Sequence, residues 1–543
     1  MESALLNNPE RQRGGVEFVL HRAAELYPSR VAVDDRLNRI SLTYGELRSR
    51  AIRLARGLEE LGIRKGDVVA TAFRNEAAAI EIAFACAMIG AVSAPLNTRL
   101  TPVEASRFID YQRATAFVGH VDFRAYVEHA APLKVVLYCL GRSDARDHGA
   151  VDYEALLSRQ SNRPFPPRAS WSDPYMIGMT GGTTGGSKGA LWSHGGCLLD
   201  MLSIITHWSI KPGYKALCCA PAHHAAGLGW ACMPVLWQAG TLIFAATRSF
   251  DPDWFLRVVA EEKIDCFFLV PAMVQPLYEH WNGVPLADVK SIAMSAAPVP
   301  NALRVKIGEI FPSAEKLVCY GMTECFSISM QHPNDFTSHG ESVGEPALVA
   351  RVRIIDDAGR EVPRGTPGHV VARTMGQSLY YNYDYDNTSK TFRSCTDDPE
   401  ELEWVHTGDV GILFGDGRLT LLDRAKDIII SGGENVPSTE VEAVLAFNPN
   451  VRDCAVVGVA SQKWGEMVCA VVVPSTEEID KRSLARALYA SCRATLGPYK
   501  VPKRFVFLDS LPRNSAGKVL KRALRERSYE SVFEAEQLRA ITE

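Results

Sequence analysis

The residues from Tyr175 to Gly189, YMIGMTGGTTGGSKG, join a strand-like apolar run to a loop rich in glycine and threonine. Glycine lets backbone N–H groups close around an anion without Cβ clashes, threonine hydroxyls add donors, and lysine adds positive charge. The stretch therefore predicts a phosphate-binding loop at the end of a buried strand. A flexible surface loop is the alternative, and the preceding buried strand disfavours it. The residues predicted to bind phosphate are Thr180, Gly181, Gly182, Thr183, Thr184, Gly185 and Lys188.

This loop differs from the P-loop of nucleoside triphosphatases. The P-loop pattern is G-x-x-x-x-G-K-[ST], but Ser187 stands where the second glycine is required, and Gly189 follows Lys188. We therefore expect phosphate binding in a different class of protein.

The sequence on both sides of the loop alternates between helical and strand patterns. Residues 44–61 place apolar side chains on one helical face and end at Gly62, and residues 67–72 read as a buried strand. Similar apolar runs recur with helix-length spacing, which predicts an α/β fold with largely parallel sheets. These runs lie at 135–137, 267–270, 291–294 and 317–319.

The pattern changes after about residue 340. Residues 351–355, 368–372 and 411–422 alternate and turn at glycine-containing pairs, which predicts a small antiparallel β-subdomain. After Asp423 the pattern becomes α+β again. We therefore expect a large N-terminal domain of βα-type sheets that includes the β-subdomain, residues 1–423, and a smaller α+β C-terminal domain, residues 424–543.

Composition narrows the function classes. The 543 residues are 47% hydrophobic and 22% charged, with a net charge of −4, which suits a globular protein and argues against nucleic-acid binding. The 13 cysteines are odd in number and no secretory segment follows Met1, so we expect reduced thiols in the cytoplasm.

Residues 216–247 carry no Asp, Glu, Lys or Arg, but prolines, glycines and histidines interrupt them. We expect strand, loop, helix and strand there and no membrane span.

The glycine-rich loop resembles the signature T-[SG]-G-T-T-G-x-P-K-G of the adenylate-forming superfamily, which includes acyl-CoA synthetases, adenylation domains and luciferases. Gly181 replaces the more usual serine, which removes one hydroxyl donor, and Ser187 replaces proline, which makes the loop less rigid. Further motifs follow in the superfamily's order and extend the resemblance over nearly the whole chain. They begin at Tyr320, His406, Asp423, Ser431 and Pro512.

Tyr320-Gly-Met-Thr-Glu324 resembles the superfamily's Y-G-x-T-E segment. The resemblance implies that Tyr320 stacks on adenine beside Gly321, that Thr323 contacts phosphate and that Glu324 binds Mg²⁺. A hard Mg²⁺ ion prefers a carboxylate together with nucleotide phosphates, so this chemistry is reasonable independently. Taken alone, the segment could equally be a polar turn between a strand and a helix.

Three later motifs supply further expected contacts. His406-Thr-Gly-Asp-Val410 resembles [WHY]-x-T-G-D, which implies that Asp409 binds the two ribose hydroxyls, although Thr-Gly-Asp alone is a common turn. Asp423 to Asp427 resembles D-R-x-[KD]-D, which implies Arg424 at the ribose or phosphate and Lys426 as the hinge of a mobile C-terminal domain. Pro512 to Lys521 resembles P-[RK]-x-x-x-G-K and implies that Lys518 contacts the carboxylate and α-phosphate. Cations there offset the charge of two anions that must meet.

The acceptor of the activated acid is implied by Ser431-Gly-Gly-Glu-Asn435, which resembles a segment of acyl-CoA synthetases. By this resemblance the C-terminal domain rotates about Lys426, withdraws Lys518 and presents Gly432 and Gly433 to the pantetheine arm of CoA. Glycine permits close approach of a narrow thiol arm. Pro437-Ser438 departs from the usual residues that follow.

The acyl pocket is implied to lie among residues 221–230, 295–298 and 321–327. Its histidines could act as bases, but as ordinary core histidines they need only a hydrogen-bond partner. Glu324 is the only charged residue in these segments, so we expect an apolar fatty, aromatic or polycyclic acid. The expected pocket residues are His223, His224, Gly227, Trp230 and Met322, with Ser295, Ala296 and Ala297 beside the nucleotide.

These observations predict an ATP-dependent acid–CoA ligase that uses Mg²⁺. It would form acyl-AMP with release of pyrophosphate and then pass the acyl group to CoA, with Lys518, Thr323, Glu324 and Lys188 as catalytic residues. Transfer to a carrier-protein thiol, adenylation alone, luciferase-like oxygenation and a non-catalytic nucleotide-binding homologue are the alternatives. The sequence leaves open which acid is used and whether the protein is a monomer or a homodimer.

Overall fold

The structure is a computed structural model, and it describes residues 14–139, 151–180, 187–245, 250–396, 400, 402–431, 434–461, 464–513, 518–527 and 532–535. None of the helices in these ranges is long and apolar enough to cross a membrane. All thirteen cysteines are free, and each is buried or half-buried.

The described strands follow the apolar runs of the sequence with small shifts at their ends. In chain order they are β1 (Val31–Asp35), β2 (Ile40–Thr43), β3 (Val68–Ala72), β4 (Val92–Pro95), β5 (Ala116–His120), β6 (Val135–Cys139), β7 (Val151–Asp152), β8 (Pro174–Thr180), β9 (Lys188–Ser193), β10 (Lys215–Cys218), β11 (Thr241–Phe244), β12 (Cys266–Leu269), β13 (Ser291–Met294), β14 (Glu315–Met322), β15 (Phe326–Met330), β16 (Glu345–Pro346), β17 (Ala350–Ile355), β18 (Gly368–Thr374), β19 (Tyr380–Tyr381), β20 (Phe392–Ser394), β21 (Glu403–Leu413), β22 (Leu419–Arg424), β23 (Ile429–Ser431), β24 (Glu434–Val436), β25 (Val451–Ser461), β26 (Gly465–Pro474), β27 (Arg504–Phe507) and β28 (Val532–Glu534).

Capping residues set the ends of several helices. Thr43 and Glu46 form a capping box at the start of the helix that begins at Tyr44, and Gly90 ends another helix with a φ of 71°. The described helices are α1 (Glu17–Leu26), α2 (Tyr44–Glu60), α3 (Ala77–Ile89), α4 (Pro102–Tyr111), α5 (Tyr153–Ser158), α6 (His194–His207), α7 (Met233–Trp237), α8 (Pro252–Glu262), α9 (Val274–His280), α10 (Asn301–Ile310), α11 (Asp335–Ser338), α12 (Tyr385–Thr391), α13 (Ser438–Ala446), α14 (Lys481–Thr495) and α15 (Lys521–Arg525).

Two largely parallel sheets form the main body. Nine of the described strands form one sheet in the order β16-β15-β14-β13-β12-β10-β11-β1-β2, and eight form the other in the order β19-β9-β8-β4-β3-β5-β6-β7. A shared apolar core includes side chains from both sheets, and α3 is buried on almost every side within it. Every residue of β3 and β12 is buried, as expected for parallel strands covered on both faces. The predicted α/β class is confirmed.

The site is positioned by the way the parallel strands end. Strands β10, β12, β13 and β14 run parallel and adjacent, so the segments that follow them meet at one edge of the sheet. Ligands of open α/β sheets bind outside this carboxyl edge. The segments predicted to line the acyl and nucleotide sites, 221–230, 295–298 and 321–327, follow β10 and β13 and span the end of β14.

The remaining strands form two smaller sheets. Strands β17, β18, β20, β21 and β22 pair antiparallel, as the alternating pattern after residue 340 predicts. The C-terminal residues form a mixed sheet of β23–β28 that packs with α13 and α14 around its own apolar core. The predicted strand, helix and strand across residues 216–247 are also present, with a π-helix, Ala225–Cys232, before α7.

Candidate active site

The phosphate-binding loop is closed by an antiparallel pair of strands. Thr180 at the end of β8 lies opposite Lys188 at the start of β9, so the two residues form the base of the connecting loop. The Lys188 amine lies 4.9 Å from the centre of the Tyr381 ring, close enough for a cation–π contact. Thr180 and Lys188 therefore lie on either side of the glycine-rich segment, and their contact with phosphate stays a prediction. The other loop residues, Gly181, Gly182, Thr183, Thr184 and Gly185, lie outside the described residues.

Thr323 and Glu324 lie in the turn of a β-hairpin between β14 and β15, not in a turn between a strand and a helix. Glu324 is buried, and the Tyr381 hydroxyl donates a hydrogen bond to it. Burial raises the pKa of Glu324, while the Tyr381 hydrogen bond and the Lys188 charge oppose this rise. Trp192 donates from Nε1 to the Thr323 carbonyl oxygen over 2.8 Å. These contacts hold the turn beside the base of the phosphate loop.

Asp409 is the centre of the second cluster. The Tyr320 hydroxyl donates to Asp409 Oδ2 over 2.6 Å, and Arg424 Nε lies 2.7 Å from Oδ1. The backbones of Asp409 and Arg424 also face each other in the register of β21 and β22. The motif from His406 to Val410 therefore lies within a strand and not in a simple turn, although Gly408 adopts a φ of 75°.

Thr407, which the sequence motifs left without a role, supports this cluster. Its hydroxyl accepts a hydrogen bond from the Asp409 backbone N–H over 3.1 Å, and its carbonyl oxygen accepts one from Arg424 over 3.2 Å. The carboxylate and guanidinium are thereby fixed relative to each other. Asp409 presents an oriented, largely buried carboxylate, which is the acceptor that a cis-diol requires.

Lys518 lies close enough to this cluster to interact with it electrostatically. Lys518 as a whole residue is exposed to solvent. Protein atoms near its amine nevertheless disfavour the charged form and lower the pKa of Lys518. Arg424 and Lys426 lower the pKa further, whereas Asp409 and Asp427 raise it. The structure thus brings a lysine from the end of the chain to the carboxylate predicted to bind ribose.

Hydrogen bonds from residues farther along the chain hold the segment around the predicted hinge. Arg525 donates to Asp427 Oδ1 over 2.7 Å and to the Lys426 carbonyl oxygen over 3.4 Å. Asp423 accepts hydrogen bonds from the Ser438 backbone N–H and hydroxyl, at 2.6 and 2.5 Å. Lys426 itself is exposed. Its role as a hinge stays a prediction.

The predicted acyl segments meet beside the Glu324 turn. His223 and His224 are half-buried with ring centres 6.1 Å apart, and burial lowers the pKa of both, that of His223 to about 3. Gly227 cannot carry a side chain, because a Cβ there would lie 1.8 Å from the Pro221 carbonyl oxygen. Gly227 and Trp230 belong to the π-helix, a form that is frequent at functional sites.

The other predicted pocket residues also lie at this edge. Trp230 is buried and packs edge-on against Phe268, and Met322 is half-buried at the end of β14. Gly321 has no space for a side chain, because a Cβ would lie 1.9 Å from the Phe326 carbonyl oxygen. Ser295, Ala296 and Ala297 follow β13 directly, and Ala296 adopts a φ of 75°.

The segment with the predicted CoA-binding glycines is flanked by two paired strands. Strands β23 and β24 pair antiparallel, with Ser431 opposite Glu434. Gly432 and Gly433 lie outside the described residues, so their contact with CoA stays a prediction.

Sequence reasoning missed three side chains at the site besides Thr407. Tyr381 and Trp192 bind the Glu324 turn, and Asp200 is buried near the acyl segments. Tyr381 belongs to a two-residue strand that pairs with β9, a contact that no local pattern reveals. Asp200 lies on α6, outside every motif. Its position as a lone acidic residue among apolar neighbours was the only available signal.

Comparisons with known proteins agree with the observed fold. Residues 20–381 match the family described as AMP-binding enzyme, and residues 440–518 match the AMP-binding enzyme C-terminal domain. The chain is 33% identical over 512 residues to a feruloyl-CoA synthase of Amycolatopsis sp, covering 93% of this chain and 97% of the relative. It is 31% identical over 519 residues to an indoleacetate–CoA ligase of Aromatoleum aromaticum, again covering 93% and 97%.

A solved structure of another CoA synthetase has a similar fold. The o-succinylbenzoate CoA synthetase of Bacillus subtilis, in complex with its acyl-adenylate intermediate, matches with a TM-score of 0.80 and 25% identity over 94% of this chain and 99% of that chain. Fold and motifs thus define an adenylate-forming α/β enzyme, as the resemblance implied. The chain belongs to the AMP-binding enzyme family.

Proposed function

We propose that this protein is an acid–CoA ligase that activates a carboxylic acid with ATP as acyl-AMP and then transfers the acyl group to CoA. The observation that carries the proposal is the meeting of Tyr320, Asp409, Arg424 and Lys518 from four separate motifs. The 31–33% identity to acid–CoA ligases over nearly the whole chain supports it.

The nucleotide would be held by groups whose chemistry matches its parts. The Asp409 carboxylate would accept hydrogen bonds from the two ribose hydroxyls, which would replace or share the contacts that Tyr320 and Arg424 now make with it. The Tyr320 ring would lie against adenine. Thr180 and Lys188, at the base of the glycine-rich loop, would lie near the phosphates.

In the first step, a carboxylate oxygen of the acid would form a bond to the α-phosphorus of ATP, and the bond to pyrophosphate would break. Both reactants are anions, so cations must offset their charge as they approach. Lys518 and Arg424 would supply that charge on the ribose side, and Lys188 on the phosphate side. Thr323 would orient a phosphate oxygen from the rigid hairpin turn.

Glu324 suits a magnesium ion brought by the nucleotide. The described residues contain no group of three or more His, Cys, Asp or Glu side chains that could hold a metal ion. Mg²⁺ commonly binds through one or two carboxylates plus substrate phosphates, and the buried Glu324 provides one such carboxylate. When bound, the ion would supply charge neutralisation at the phosphates.

In the second step, the CoA sulfur would attack the acyl carbonyl carbon, a thioester would form and AMP would leave. We infer that residues 424–543 rotate about Lys426 between the two steps, so that Lys518 withdraws and Gly432 and Gly433 approach the acyl-AMP. The hydrogen bonds from Ser438 to Asp423 cross the boundary of the segment that would move. Thirteen free cysteines favour a reducing compartment, the cytoplasm.

The test is a two-part assay of the purified protein with ATP, Mg²⁺ and a panel of fatty, aromatic and polycyclic acids. Pyrophosphate release that depends on the acid, followed by an acyl-CoA thioester when CoA is added, is the expected result. Absence of pyrophosphate release with every acid would contradict adenylation. Acyl-AMP formation without a thioester would instead favour a carrier-protein thiol as the acceptor.

A further inference from the structure

Asp200 is a buried carboxyl that the proposed mechanism does not use. It lies on α6 and is only 2% exposed, and Ser327 donates its backbone N–H to Asp200 Oδ1 over a long 3.3 Å. Among the described residues, no lysine, arginine or histidine forms an ion pair with it. A buried carboxylate without a cation is costly, and neutral side chains of similar size would fill the same space. Packing alone therefore does not explain why this position carries an acid.

Asp200 lines a small internal cavity together with Tyr175, whose hydroxyl is unsatisfied. Tyr175 lines the same cavity and is 1% exposed, and its buried hydroxyl has no hydrogen-bond partner among the described residues. Buried hydroxyl groups are normally paired, so an unpaired one facing a cavity indicates a missing partner. The rest of the wall is mainly apolar and includes Met176, Met201 and Met233. Flexible methionines can move aside to enlarge such a space.

Packed side chains connect the wall of this cavity to the Glu324 turn. Gly229 of the π-helix and Phe326 of β15 both line it. The Phe326 ring lies 4.0 Å from the Trp192 ring, and Trp192 is hydrogen-bonded to the Thr323 carbonyl oxygen. Phe326 follows Glu324 by two residues. Gly229 and Phe326 also belong to the segments predicted to form the acyl pocket, so we infer that the cavity lies at the inner end of that predicted pocket.

We propose that Asp200 determines the specificity of the acyl pocket and selects acids whose end remote from the carboxylate bears a hydrogen-bond donor, a hydroxyl or an amino group. This inference rests on the proposed ligase function and refines the expectation of a wholly apolar acid. Tyr175 would complete the recognition with its free hydroxyl. The absence of a nearby cation leaves the carboxyl able to accept the donor of a substrate.

The chemistry around Asp200 is compatible with this role. Asp200 interacts electrostatically with the thiols of Cys197, Cys319 and Cys325, and burial raises their pKa values well above the usual range. These thiols are therefore neutral and place no negative charge beside the carboxyl. Desolvation raises the pKa of Asp200 to about 7, and the backbone hydrogen bond from Ser327 opposes this rise, so a donor from the substrate would stabilise the charged form.

The experiment compares matched acids in wild-type protein and in two variants. The probes are benzoic, phenylacetic and cinnamic acids with a para hydroxyl, amino or methyl group, together with ω-hydroxy and unsubstituted fatty acids. The readout is kcat/KM for pyrophosphate release. We expect wild-type protein to prefer the donor-bearing member of an accepted pair by about 10-fold or more, the effect of one hydrogen bond to a charged group. Asp200→Leu should reverse that preference, and Asp200→Asn should reduce it.

Two controls separate recognition from folding. Tyr175→Phe removes the second polar group without emptying space and should weaken the preference by a smaller factor. The midpoint of thermal unfolding of each variant shows whether it is folded. An unchanged donor-to-methyl ratio in folded Asp200→Leu and Asp200→Asn, or a wild-type preference for methyl, would overturn the assignment while leaving the ligase function intact. No pyrophosphate release with any acid would overturn both.

Discussion

The side chains of Tyr320 and Asp409 are joined by a hydrogen bond of 2.6 Å, although the two residues are 89 positions apart. One was expected to contact adenine and the other ribose, so two parts of the proposed nucleotide site are in direct contact. Displacement of either side chain would therefore disturb the other.

Asp409→Ala should raise KM for ATP by about 10- to 100-fold, because two hydrogen bonds to a charged group are lost. Tyr320→Phe keeps the ring and removes the hydroxyl, so its effect should be smaller, about 3- to 10-fold. Initial rates of pyrophosphate release at varied ATP measure both. The matched control is Asp416→Asn, which alters an exposed aspartate that pairs with Arg418 beside the same sheet. An Asp409→Ala variant with unchanged KM for ATP would contradict the ribose assignment.

Lys518→Ala should reduce acyl-AMP formation by at least 100-fold and spare thioester formation from added acyl-AMP, because its charge is needed only while the two anions meet. The two half-reactions are measured separately, by pyrophosphate release and by thioester formation. Arg513→Ala is the control, since it removes a cation from the same segment that pairs with Asp453. Equal loss of both half-reactions would count against the two-step rotation.

Glu324→Gln should raise the Mg²⁺ concentration needed for half-maximal adenylation by about 10-fold or more, because the carboxylate is replaced by a neutral amide. The amide can still accept a hydrogen bond from Tyr381, so the hairpin turn should stay intact. A Mg²⁺ titration at saturating ATP measures the effect. Glu315→Gln removes an exposed carboxylate from β14, the strand that leads into the Glu324 turn, and serves as the control. A Mg²⁺ requirement equal to that of wild type would exclude Glu324 as a ligand.

His223 should have no part in the pH dependence of the reaction. Burial, together with His224 and Arg99, lowers its pKa to about 3, so it is neutral throughout the range from pH 5 to pH 9. His223→Ala should change which acids are accepted and leave the midpoints of the pH profile of kcat unchanged. His129→Ala, at an exposed position, provides the comparison. Disappearance of an acidic limb only in His223→Ala would show that the histidine acts as a base.

Asp200→Asn should stabilise the folded protein, and the gain should depend on pH. The folded-state pKa of about 7 lies above the ordinary value of 3.8, so ionisation of Asp200 lowers stability progressively as pH rises from about 4 to 7. An asparagine does not ionise, so the gain should be small near pH 4 and reach a few kcal/mol, in order of magnitude, above pH 7. Unfolding temperatures between pH 5 and pH 8.5, with exposed Asp288→Asn as control, measure it. A gain that does not change with pH would contradict the buried-acid interpretation.

The fold was predictable where local patterns and burial agree. The helix expected at 44–61 is Tyr44–Glu60, and the strand expected at 291–294 is Ser291–Met294, because each carries its periodicity and its stop signal in adjacent residues. The His406–Val410 motif was harder to place. Thr-Gly-Asp is a common turn sequence, so the motif suggests a turn. In the structure, Gly408 has a positive φ but lies within the long strand β21.

The candidate site was predictable only in part, because motifs name residues but not their supports. Tyr320, Asp409 and Arg424 were expected around one nucleotide and are in contact, and Lys518 interacts with Asp409 and Arg424 electrostatically. Their contacts with the nucleotide stay predictions. Tyr381 could not be foreseen, since its contact with Glu324 depends on the pairing of two distant strands. Asp200 was also missed, because its importance comes from the cavity around it and not from its neighbours in sequence.

The burial of the cysteines has a practical consequence for measuring the proposed rotation. None of the thirteen native thiols is exposed, and burial raises the pKa even of the half-buried Cys219, to about 12, so very little reactive thiolate is present at neutral pH. Maleimide dyes should therefore leave the native protein largely unmodified. One cysteine engineered at exposed Asp288 and another at exposed Arg482 would carry a fluorescent donor and acceptor selectively. Energy transfer between them could then follow the change of distance during turnover in a single molecule.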